Sequence, residues 1–253
     1  MHVLGIDFGG SGIKGAPVDL DTGALLGERH RIDTPDPATP EAVAGVIARI
    51  VDHFDWDGPI GCTVPARVEH GLVRTASNIH ESWLETHVER IIERATGLPV
   101  HAINDADAAG LASMAFGAGK GRNDFVFFIT VGTGIGTAMF VEQVLVPNCE
   151  LGHLPMHGGV AEEYASDRIR KEQGLTWQEW AGRFQEYLTL VEFLFAPDLI
   201  IIGGGVSRPH KADEYLDLLD TNAELVVAHL ENEAGLIGAA YSARNLVKRS
   251  GAR

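Results

Sequence analysis

The sequence predicts a duplicated α/β protein in which two lobes surround a cleft. Two segments, "HVLGIDFGGSGIKG" from His2 and "DFVFFITVGTGIGTA" from Asp124, both have the pattern of strand, glycine turn and strand. Helical and buried-strand patterns follow each segment, so the order of elements approximates βββαβα twice. Ligands of such folds bind where strand ends face the cleft, and we expect the functional residues there.

The composition is that of a globular protein and argues against several functions. Of 253 residues, 45% are hydrophobic and 22% charged, and no run approaches the ~20 apolar residues that span a bilayer. The net charge of −15 disfavours nucleic acid and anionic membranes as partners. The chain enters a strand without a basic leader, so we expect a cytoplasmic location. Cys62 and Cys149 form no C-x-x-C pair and no metal-ligand spacing.

In the first half, two further strands, "IKGAPVDL" and "ALLGERHRI", are predicted after the glycines, joined by a turn at residues 21–23. Thr39 is the expected N-cap, with Pro40 in the first turn, of a helix whose apolar face runs from Val43 to Phe54. The strand "PIGCTVPA" follows.

Ser82 and Glu85 match a capping box for the next helix, which carries Leu84, Val88, Ile91, Ile92 and Ala95 on one face and ends at Gly97. "VHAIND" is then a strand and "ADAAGLASMAFGAG" a helix.

In the second half, Thr176 and Glu179 are expected to cap a long helix that extends through Phe195. "DLIIIGGGVS" predicts a buried strand that ends in glycines, and "VVAHL" another strand. A last helix is expected from about Glu233 to Leu246.

The first glycine turn is a candidate phosphate site. Gly10, Gly12 and Gly15 match G-x-G-x-x-G, but they precede a strand instead of opening a helix, which argues against a dinucleotide site. Glycines after Asp7, starting at Gly9, let backbone N–H groups converge on an anion. A carboxylate beside a phosphate needs a bridging cation, and Mg²⁺ fits. The alternative is a tight hairpin with an exposed Asp7.

The second glycine turn offers a similar nest with hydroxyl groups beside it. Its residues are Thr130, Gly132, Thr133, Gly134, Gly136 and Thr137. Two such turns in two similar halves are together more specific than either turn alone.

Polar residues at two other places are candidates for substrate contacts. Only one residue among Asn104, Asp105 and Asp107 can be the N-cap of its helix, and a carboxylate left over could accept a hydroxyl proton. Glu150 and His153, with Glu162 or Glu163, provide acceptors that suit a polyhydroxyl ligand.

Basic residues cluster in sequence near the glycines, at Lys14, Lys120, Arg122, Arg208, His210 and Lys211. They are either ordinary surface charges or contacts to an extended polyanion, and the sequence leaves both interpretations open.

The motifs "LGIDFGGSGIKG", "INDADAAGL", "ITVGTGIGTA", "ELGH" and "IIIGGGVS" resemble, in this order, those of the ROK (repressor, open reading frame, kinase) sugar kinases. Within that family the chain is most similar to the bacterial polyphosphate glucokinases, through "VPARVEHG", "SNIHESW", "GAGKGR" and "NEAGLIGAA". The resemblance implies the actin-like ATPase (ribonuclease H-like) fold. It also implies a small lobe at residues 1–104, completed by a helix at about 240–253, and a larger lobe at 105–239.

The resemblance implies phosphorylation of glucose at its 6-hydroxyl by inorganic polyphosphate, with ATP as a further donor, in a Mg²⁺-dependent homodimer. Alternatives are a strictly ATP-dependent hexokinase for glucose, mannose or fructose, and a sugar-sensing regulator. A regulator is disfavoured because no helix-turn-helix precedes the first strand and the charge is wrong for DNA. No zinc is expected, because "LPMHGGVAEEY" stands where many members carry a Cys-rich motif.

The resemblance also assigns roles by position. Asp105 is the expected general base. The sugar contacts are Asn104, Asp105, Glu150, His153 and Glu162, where Glu162 fits the family spacing better than Glu163. The donor contacts are Asp7, Gly9, Gly10, Gly12, Lys14, Thr130, Gly132, Thr133, Gly134, Gly136, Gly204 and Gly205, with Asp7 also at the metal.

Overall fold

The first strand lies at the centre of a mixed sheet because its apolar side chains are buried on both faces, including Val3, Leu4, Ile6 and Phe8. The computed structural model describes residues 1–76 and 79–250. Residues 77 and 78, in the "SNIHESW" motif, and residues 251–253 of the predicted C-terminal helix lie outside the described residues.

The elements of the first part of the chain are β1 (His2–Phe8), β2 (Gly12–Asp19), β3 (His30–Asp33), α1 (Pro40–His53), β4 (Ile60–Val64), β5 (Val68–Glu69), β6 (Leu72–Val73), α2 (Val88–Thr96), β7 (Val100–Asn104) and α3 (Asp105–Phe116). The sheet has the order β3-β2-β1-β4-β7, in which β2 is antiparallel to both neighbours and β1, β4 and β7 are parallel. The parallel strands place the ends of β1, β4 and β7 on one edge.

The second part of the chain repeats this plan. Its elements are β8 (Phe125–Val131), β9 (Ile135–Val141), β10 (Val144–Val146), β11 (Pro155–Met156), β12 (Gly159–Val160), α4 (Glu162–Ala165), α5 (Asp167–Glu172), α6 (Trp177–Phe195), β13 (Leu199–Gly204), α7 (Pro209–Ala212) and β14 (Glu224–Val227). Its sheet order, β10-β9-β8-β13-β14, again joins an antiparallel three-strand meander to two parallel strands. The predicted duplication is confirmed.

Two compact units can be distinguished, residues Met1–Ala112 with the segment that starts at Glu233, and residues Ser113–Asn232. The last helices, α8 (Ala234–Ser242) and α9 (Arg244–Ser250), therefore belong with the first sheet. Helix α8 packs so closely on β4 that a Cβ added at Gly61 would overlap the carbonyl of Ala239. The lobe boundaries implied by the family, at residues 104 and about 240, stay a prediction.

Several helix predictions are confirmed by cap geometry. Thr39 Oγ1 accepts the Ala42 N–H at the start of α1, where Pro40 is the first residue. Thr176 and Glu179 form the predicted capping box of α6. Gly97 ends α2 in the left-handed conformation, with φ of 73°.

The predicted capping box at Ser82 and Glu85 is wrong. Helix α2 begins at Val88, whereas Ser82 lies in a short 3₁₀ helix and Glu85 has a positive φ of 59°. The cause is Trp83, which is fully buried and donates its indole N–H to the Ala38 carbonyl at 2.8 Å. Burying this side chain ends the turn before a helix can form.

Two strands and the last helix also differ from the prediction. The third strand covers only His30–Asp33, because Leu25 makes a single bridge to Val18. The strand predicted at "VVAHL" ends at Val227, and the last helix is divided at Ala243. Within the described residues, no helix combines the length and the apolar character that crossing a bilayer requires.

Candidate active site

Asp7 lies in β1, one residue before its end, and its carboxylate is held from two sides. Lys14 faces it across the antiparallel β1–β2 pair and donates to Oδ2 at 3.3 Å. Thr63, on the parallel neighbour β4, donates to Oδ1 at 3.1 Å and accepts the Phe8 N–H at 3.0 Å. The sheet thus fixes the orientation of a carboxylate beside the first glycine turn.

The first glycine turn is closed by its own backbone. The N–H of Gly9 donates to the carbonyl of Gly12 at 3.2 Å, and Thr34 Oγ1 donates to the carbonyl of Gly9 at 2.6 Å. A Cβ at Gly10 would meet no heavy atom within 4 Å. The middle of the turn is therefore open to a ligand.

The groups around Asp7 fit a magnesium ion that is shared with substrate phosphates. Mg²⁺ commonly takes one or two carboxylates, keeps several waters and uses phosphate oxygens for the rest. Asp7 supplies one carboxylate, whose oxygens accept hydrogen bonds from the Thr63 hydroxyl and the Lys14 ammonium. Among the described residues, no group of three or more His, Cys, Asp or Glu side chains is placed to hold a metal ion without such phosphates.

At the start of α3, hydrogen bonds show which residue is the helix cap. The buried Asn104 accepts the N–H groups of Ala106 and Asp107 through Oδ1, at 2.8 and 3.1 Å, so Asn104 is the N-cap. Its Nδ2 donates to the carbonyl of Ala66 and to Asp105 Oδ1. Asp105 itself is exposed, although it also accepts the Ala106 N–H at 2.9 Å. Asn104 therefore caps the helix, and the Asp105 carboxylate next to it is accessible to solvent.

The predicted sugar ligands of the second unit come together. The His153 ring lies between two carboxylates, with Nδ1 3.4 Å from Glu150 and Nε2 3.7 Å from Glu162. Glu162 Oε2 also accepts the Ile135 N–H at 3.2 Å, so α4 is tied to the second glycine turn. Glu163 instead accepts the Val160 N–H at 3.4 Å, which favours Glu162 for the predicted role.

The second glycine turn is closed in the same way as the first, by a hydrogen bond from the Gly132 N–H to the Gly134 carbonyl at 3.0 Å. Thr130 Oγ1 lies 3.5 Å from the Gly136 carbonyl. At the end of β13, Gly204 is adjacent to Val131 in the parallel pair, and the Gly205 carbonyl accepts Lys211 Nζ at 2.9 Å. The predicted donor contacts of this unit therefore lie along one sheet edge.

Comparison with known proteins shows the family. The sequence matches the family model described as "ROK family" over residues 3–174. It is 47% identical to the polyphosphate glucokinase of Mycobacterium tuberculosis (strain CDC 1551 / Oshkosh) over 242 residues, which cover 95% of this chain and 91% of that protein. This chain belongs to the ROK family.

Two solved structures resemble this ROK-family chain. The inorganic polyphosphate/ATP-glucomannokinase of Arthrobacter sp. strain KM has a TM-score of 0.90 and 47% identity, with 96% of this chain and 98% of that chain covered. The ROK family glucokinase of Streptomyces griseus, solved with glucose and AMPPNP, has a TM-score of 0.82 and 26% identity, with 97% and 100% covered. The predicted actin-like fold class and the resemblance to polyphosphate glucokinases are confirmed. These kinase relatives imply a divalent-metal requirement.

One residue near the first glycine turn, Arg31, is not among those that the sequence analysis singles out. Arg31 lies opposite Lys14 on β3, and its Nη2 donates to the Ser11 carbonyl at 2.7 Å. A Cβ at Gly12 would be 2.5 Å from the Arg31 Nε, so the guanidinium lies over the turn. The register between β2 and β3 is the signal that could have identified it.

Thr137 has a different position from the one expected of a donor hydroxyl. It is buried on β9, where it donates to the Cys149 carbonyl and accepts the Leu151 N–H at 3.1 Å. These two bonds flank Glu150. Thr137 therefore positions the loop that carries a predicted sugar ligand.

Two of the basic residues singled out by sequence have distinct surroundings. Arg122 forms ion pairs with Asp124 and Glu224, at 2.6 Å each, and these hydrogen bonds raise the pKa of its guanidinium. Lys120 is exposed in the loop after α3. Arg122 is thus engaged in a structural network of the second unit.

Proposed function

We propose that this chain transfers the terminal phosphoryl group of inorganic polyphosphate to the 6-hydroxyl of glucose, giving glucose 6-phosphate, and that it also accepts ATP. The observation that carries the proposal is the 47% identity, over 95% of the chain, to the Mycobacterium tuberculosis polyphosphate glucokinase. The likeness to a polyphosphate/ATP-glucomannokinase, at a TM-score of 0.90, supports both donors. The activity is that of a phosphotransferase with an alcohol acceptor.

In this proposal Asp105 is the general base. Its carboxylate takes the proton of the 6-hydroxyl while the oxygen bonds to the terminal phosphorus and the bond to the leaving phosphate breaks. The N-cap role of Asn104 supports the assignment, because it keeps Asp105 at a fixed place without using it as the cap. The predicted contact of Asn104 to the sugar stays a prediction.

The sugar is held, in this proposal, by Glu150, His153 and Glu162. Carboxylates accept hydrogen bonds from the hydroxyl groups of a sugar, and the contact between the His153 ring and both carboxylates supports a common role. Thr137 and the Ile135 N–H fix the two acids in place before substrate arrives. Holding reactants in a fixed geometry lowers an activation barrier by ~7–11 kcal/mol in favourable cases.

On the donor side, we assign the two glycine turns, Lys14, Thr130, Gly204 and Gly205 to the phosphates, and Asp7 to Mg²⁺. When bound, Mg²⁺ neutralises charge on the phosphate oxygens. We further propose a cytoplasmic homodimer, two functional lobes divided near residues 104 and 240, and no zinc.

The deciding experiment mixes purified protein, glucose and Mg²⁺ with long-chain polyphosphate or with ATP, and measures glucose 6-phosphate. We expect turnover with both donors and higher kcat/KM with polyphosphate. Turnover with ATP alone would favour the hexokinase alternative, with mannose and fructose as further acceptors to test. No turnover, together with DNA retention at physiological salt, would favour a regulator.

Replacing the base gives a sharper result. Asp105→Asn should lower kcat by a factor of roughly 10²–10⁴, because the amide cannot accept the proton. The melting temperature should change little, since Asn104 supplies the helix cap. Near-normal turnover would refute the assignment of Asp105.

A matched pair of neighbouring glutamates tests the sugar site. Glu162→Gln should raise KM for glucose, whereas Glu163→Gln should not, because Glu163 is turned toward the Val160 N–H. Glu150→Gln and His153→Ala should also raise KM for glucose. Equal effects of Glu162→Gln and Glu163→Gln would contradict the placement.

A further inference from the structure

A short basic helix in the second unit has no role in the site described so far. Helix α5 carries Arg168, Arg170 and Lys171 within six residues. Lys211 on α7 joins this group through Asp167, and Arg208, the N-cap of α7, lies near enough to repel the Lys211 charge. We call these five residues the α5–α7 basic cluster.

A buried carboxylate holds the cluster together. The Asp167 side chain is 3% exposed and accepts Arg170 Nε at 2.8 Å and Lys171 Nζ at 2.7 Å, while Lys211 Nζ lies 3.9 Å away. Burial tends to raise the pKa of Asp167, but the hydrogen bonds from Lys171 and Arg170 outweigh it and hold the pKa below its usual value. Asp167 is therefore ionised and fixes three cations around one point.

The cluster adjoins the glycines of both parallel strands of the second sheet. Arg168 donates its backbone N–H to the Gly132 carbonyl and its Nε to the Thr133 carbonyl, each at 3.0 Å. Lys211 Nζ donates to the Gly205 carbonyl. Because β8 and β13 are parallel neighbours, these two turns lie at the same edge, and the cations line it.

The positive charge of the cluster exceeds its negative partners. Four of the five cations contact two carboxylates: Arg170, Lys171 and Lys211 lie beside Asp167, and Arg168 pairs with the exposed Glu172 at 3.3 Å. Desolvation and the repulsion from Lys171, Arg208 and Arg170 lower the pKa of Lys211, although Asp167 opposes this. In a chain of net charge −15, this local excess of cations is a favourable place for an anionic ligand.

Two members of the cluster remain accessible to a ligand. Lys171 is 61% exposed, and Arg208 is exposed at the N-cap of α7. Arg170, by contrast, is packed over the ring of Trp177 at 3.9 Å and is mostly buried. Lys171 and Arg208 are thus the most exposed cations of the cluster.

We propose that the α5–α7 basic cluster binds the part of an inorganic polyphosphate chain that extends beyond the phosphates held by the glycine turns. This inference rests on the proposed function and deepens it. Several cations beside the glycine turns suit a ligand that repeats one charge at short intervals and has no base to recognise. A nucleoside triphosphate has its charges in the three phosphates that the glycine turns accommodate.

The test removes the accessible charges. Lys171→Gln/Arg208→Gln should raise KM for long-chain polyphosphate about tenfold, as two exposed charge contacts are lost. KM for tripolyphosphate, ATP and glucose should stay within about twofold. The double variant should also retain less long-chain polyphosphate in a filter-binding assay, with a weaker dependence on salt because fewer counterions are released.

The control is Arg49→Gln/Arg90→Gln, which removes the same charge from exposed positions on α1 and α2. It should leave all these values unchanged. An unchanged KM for long-chain polyphosphate in the Lys171→Gln/Arg208→Gln protein, or an equal rise for ATP, overturns the inference. So does an equal effect of the control pair.

The filter assay separates failure of the inference from failure of the proposed function. A wild-type protein that retains polyphosphate through Lys171 and Arg208 but does not phosphorylate glucose with it contradicts the proposed function alone. A protein that phosphorylates glucose with polyphosphate, but whose binding ignores these two residues, contradicts the inference alone. A protein that neither binds nor uses polyphosphate contradicts both.

Discussion

The two glycine turns of this protein share a backbone design but differ in charge. In each, the first glycine donates its N–H to the carbonyl of the last, from Gly9 to Gly12 and from Gly132 to Gly134. Each turn joins two antiparallel strands. Counted back from the turn, the second pair of facing residues is Asp7 with Lys14 in one sheet and Thr130 with Gly136 in the other. The same position thus carries an ion pair in the first unit and neutral groups in the second.

The strand beside each turn extends this difference. In the first sheet, β3 reaches far enough to place Arg31 opposite Lys14. In the second sheet, β10 pairs only with Met139, Phe140 and Val141, so no β10 residue lies opposite Gly136 in the ladder. The second turn has Glu162 over it instead, and its cations come from α5. In the proposed function, this difference corresponds to a metal and phosphate role for the first turn and to a sugar-binding acid, Glu162, beside the second.

The strongest test of this comparison replaces Asp7 and Thr130, which hold equivalent positions beside the two turns, in separate variants. Asp7→Asn should lower kcat by about 10²-fold or more, because metal and charge stabilisation are worth several kcal/mol. Thr130→Val should cost at most about tenfold, the value of one neutral hydrogen bond. Kinetics at saturating donor measure both, and Mn²⁺ binding followed by electron paramagnetic resonance should weaken only in Asp7→Asn. Equal losses would mean that the turns do not differ in role.

Alanine at the last glycine of each turn separates the sugar side from the donor side. In Gly134→Ala the new Cβ overlaps Glu162 Oε2, and a misplaced acid should raise KM for glucose about tenfold or more. In Gly12→Ala the Cβ displaces the flexible, half-exposed Arg31, which should raise KM for the donor only a few-fold. Separate titrations of glucose and donor check this. The comparison fails if both variants affect the same substrate.

The sequence predicted the sheets well because their signals are local. Apolar runs such as "LIIIG" in β13 are buried on both faces, and glycines mark the turns, so each strand can be placed without knowledge of its neighbours. The caps of α1 and α6 were predicted for the same reason. The capping box at Ser82 failed because the burial of Trp83, which lies against the Ala38 carbonyl, decides the backbone there.

The candidate site was predictable in its residue types and less so in its roles. Asn104 caps α3 partly because its amide reaches the carbonyl of Ala66, which is 38 residues away, and no local pattern contains that contact. Arg31 and Thr137 depend in the same way on strand register and on a loop that returns to β9. Arg168 was overlooked because a six-residue helix gives no periodic signal.

The smallest expected effects are changes in the free energy of unfolding when the N-cap threonine of one helix in each unit is replaced. Thr176→Ala breaks a reciprocal box, in which Glu179 also accepts the Thr176 N–H at 2.9 Å, and should cost ~1–2 kcal/mol. Thr39→Ala removes one longer bond, of 3.4 Å, and should cost ~0.5–1 kcal/mol. Urea unfolding, with hydrogen exchange in α6 and α1, measures both.

The difference between the two caps should also depend on pH. Hydrogen bonds from the Thr176 side chain and backbone lower the pKa of Glu179. A lowered carboxyl pKa gives stability that is present above the unfolded value near 4.5 and is lost as the pH falls through the folded value. The excess cost of Thr176→Ala over Thr39→Ala should therefore shrink below about pH 4.5. A pH-independent excess would mean that the threonine hydroxyl alone, without the Glu179 carboxylate, stabilises the start of α6.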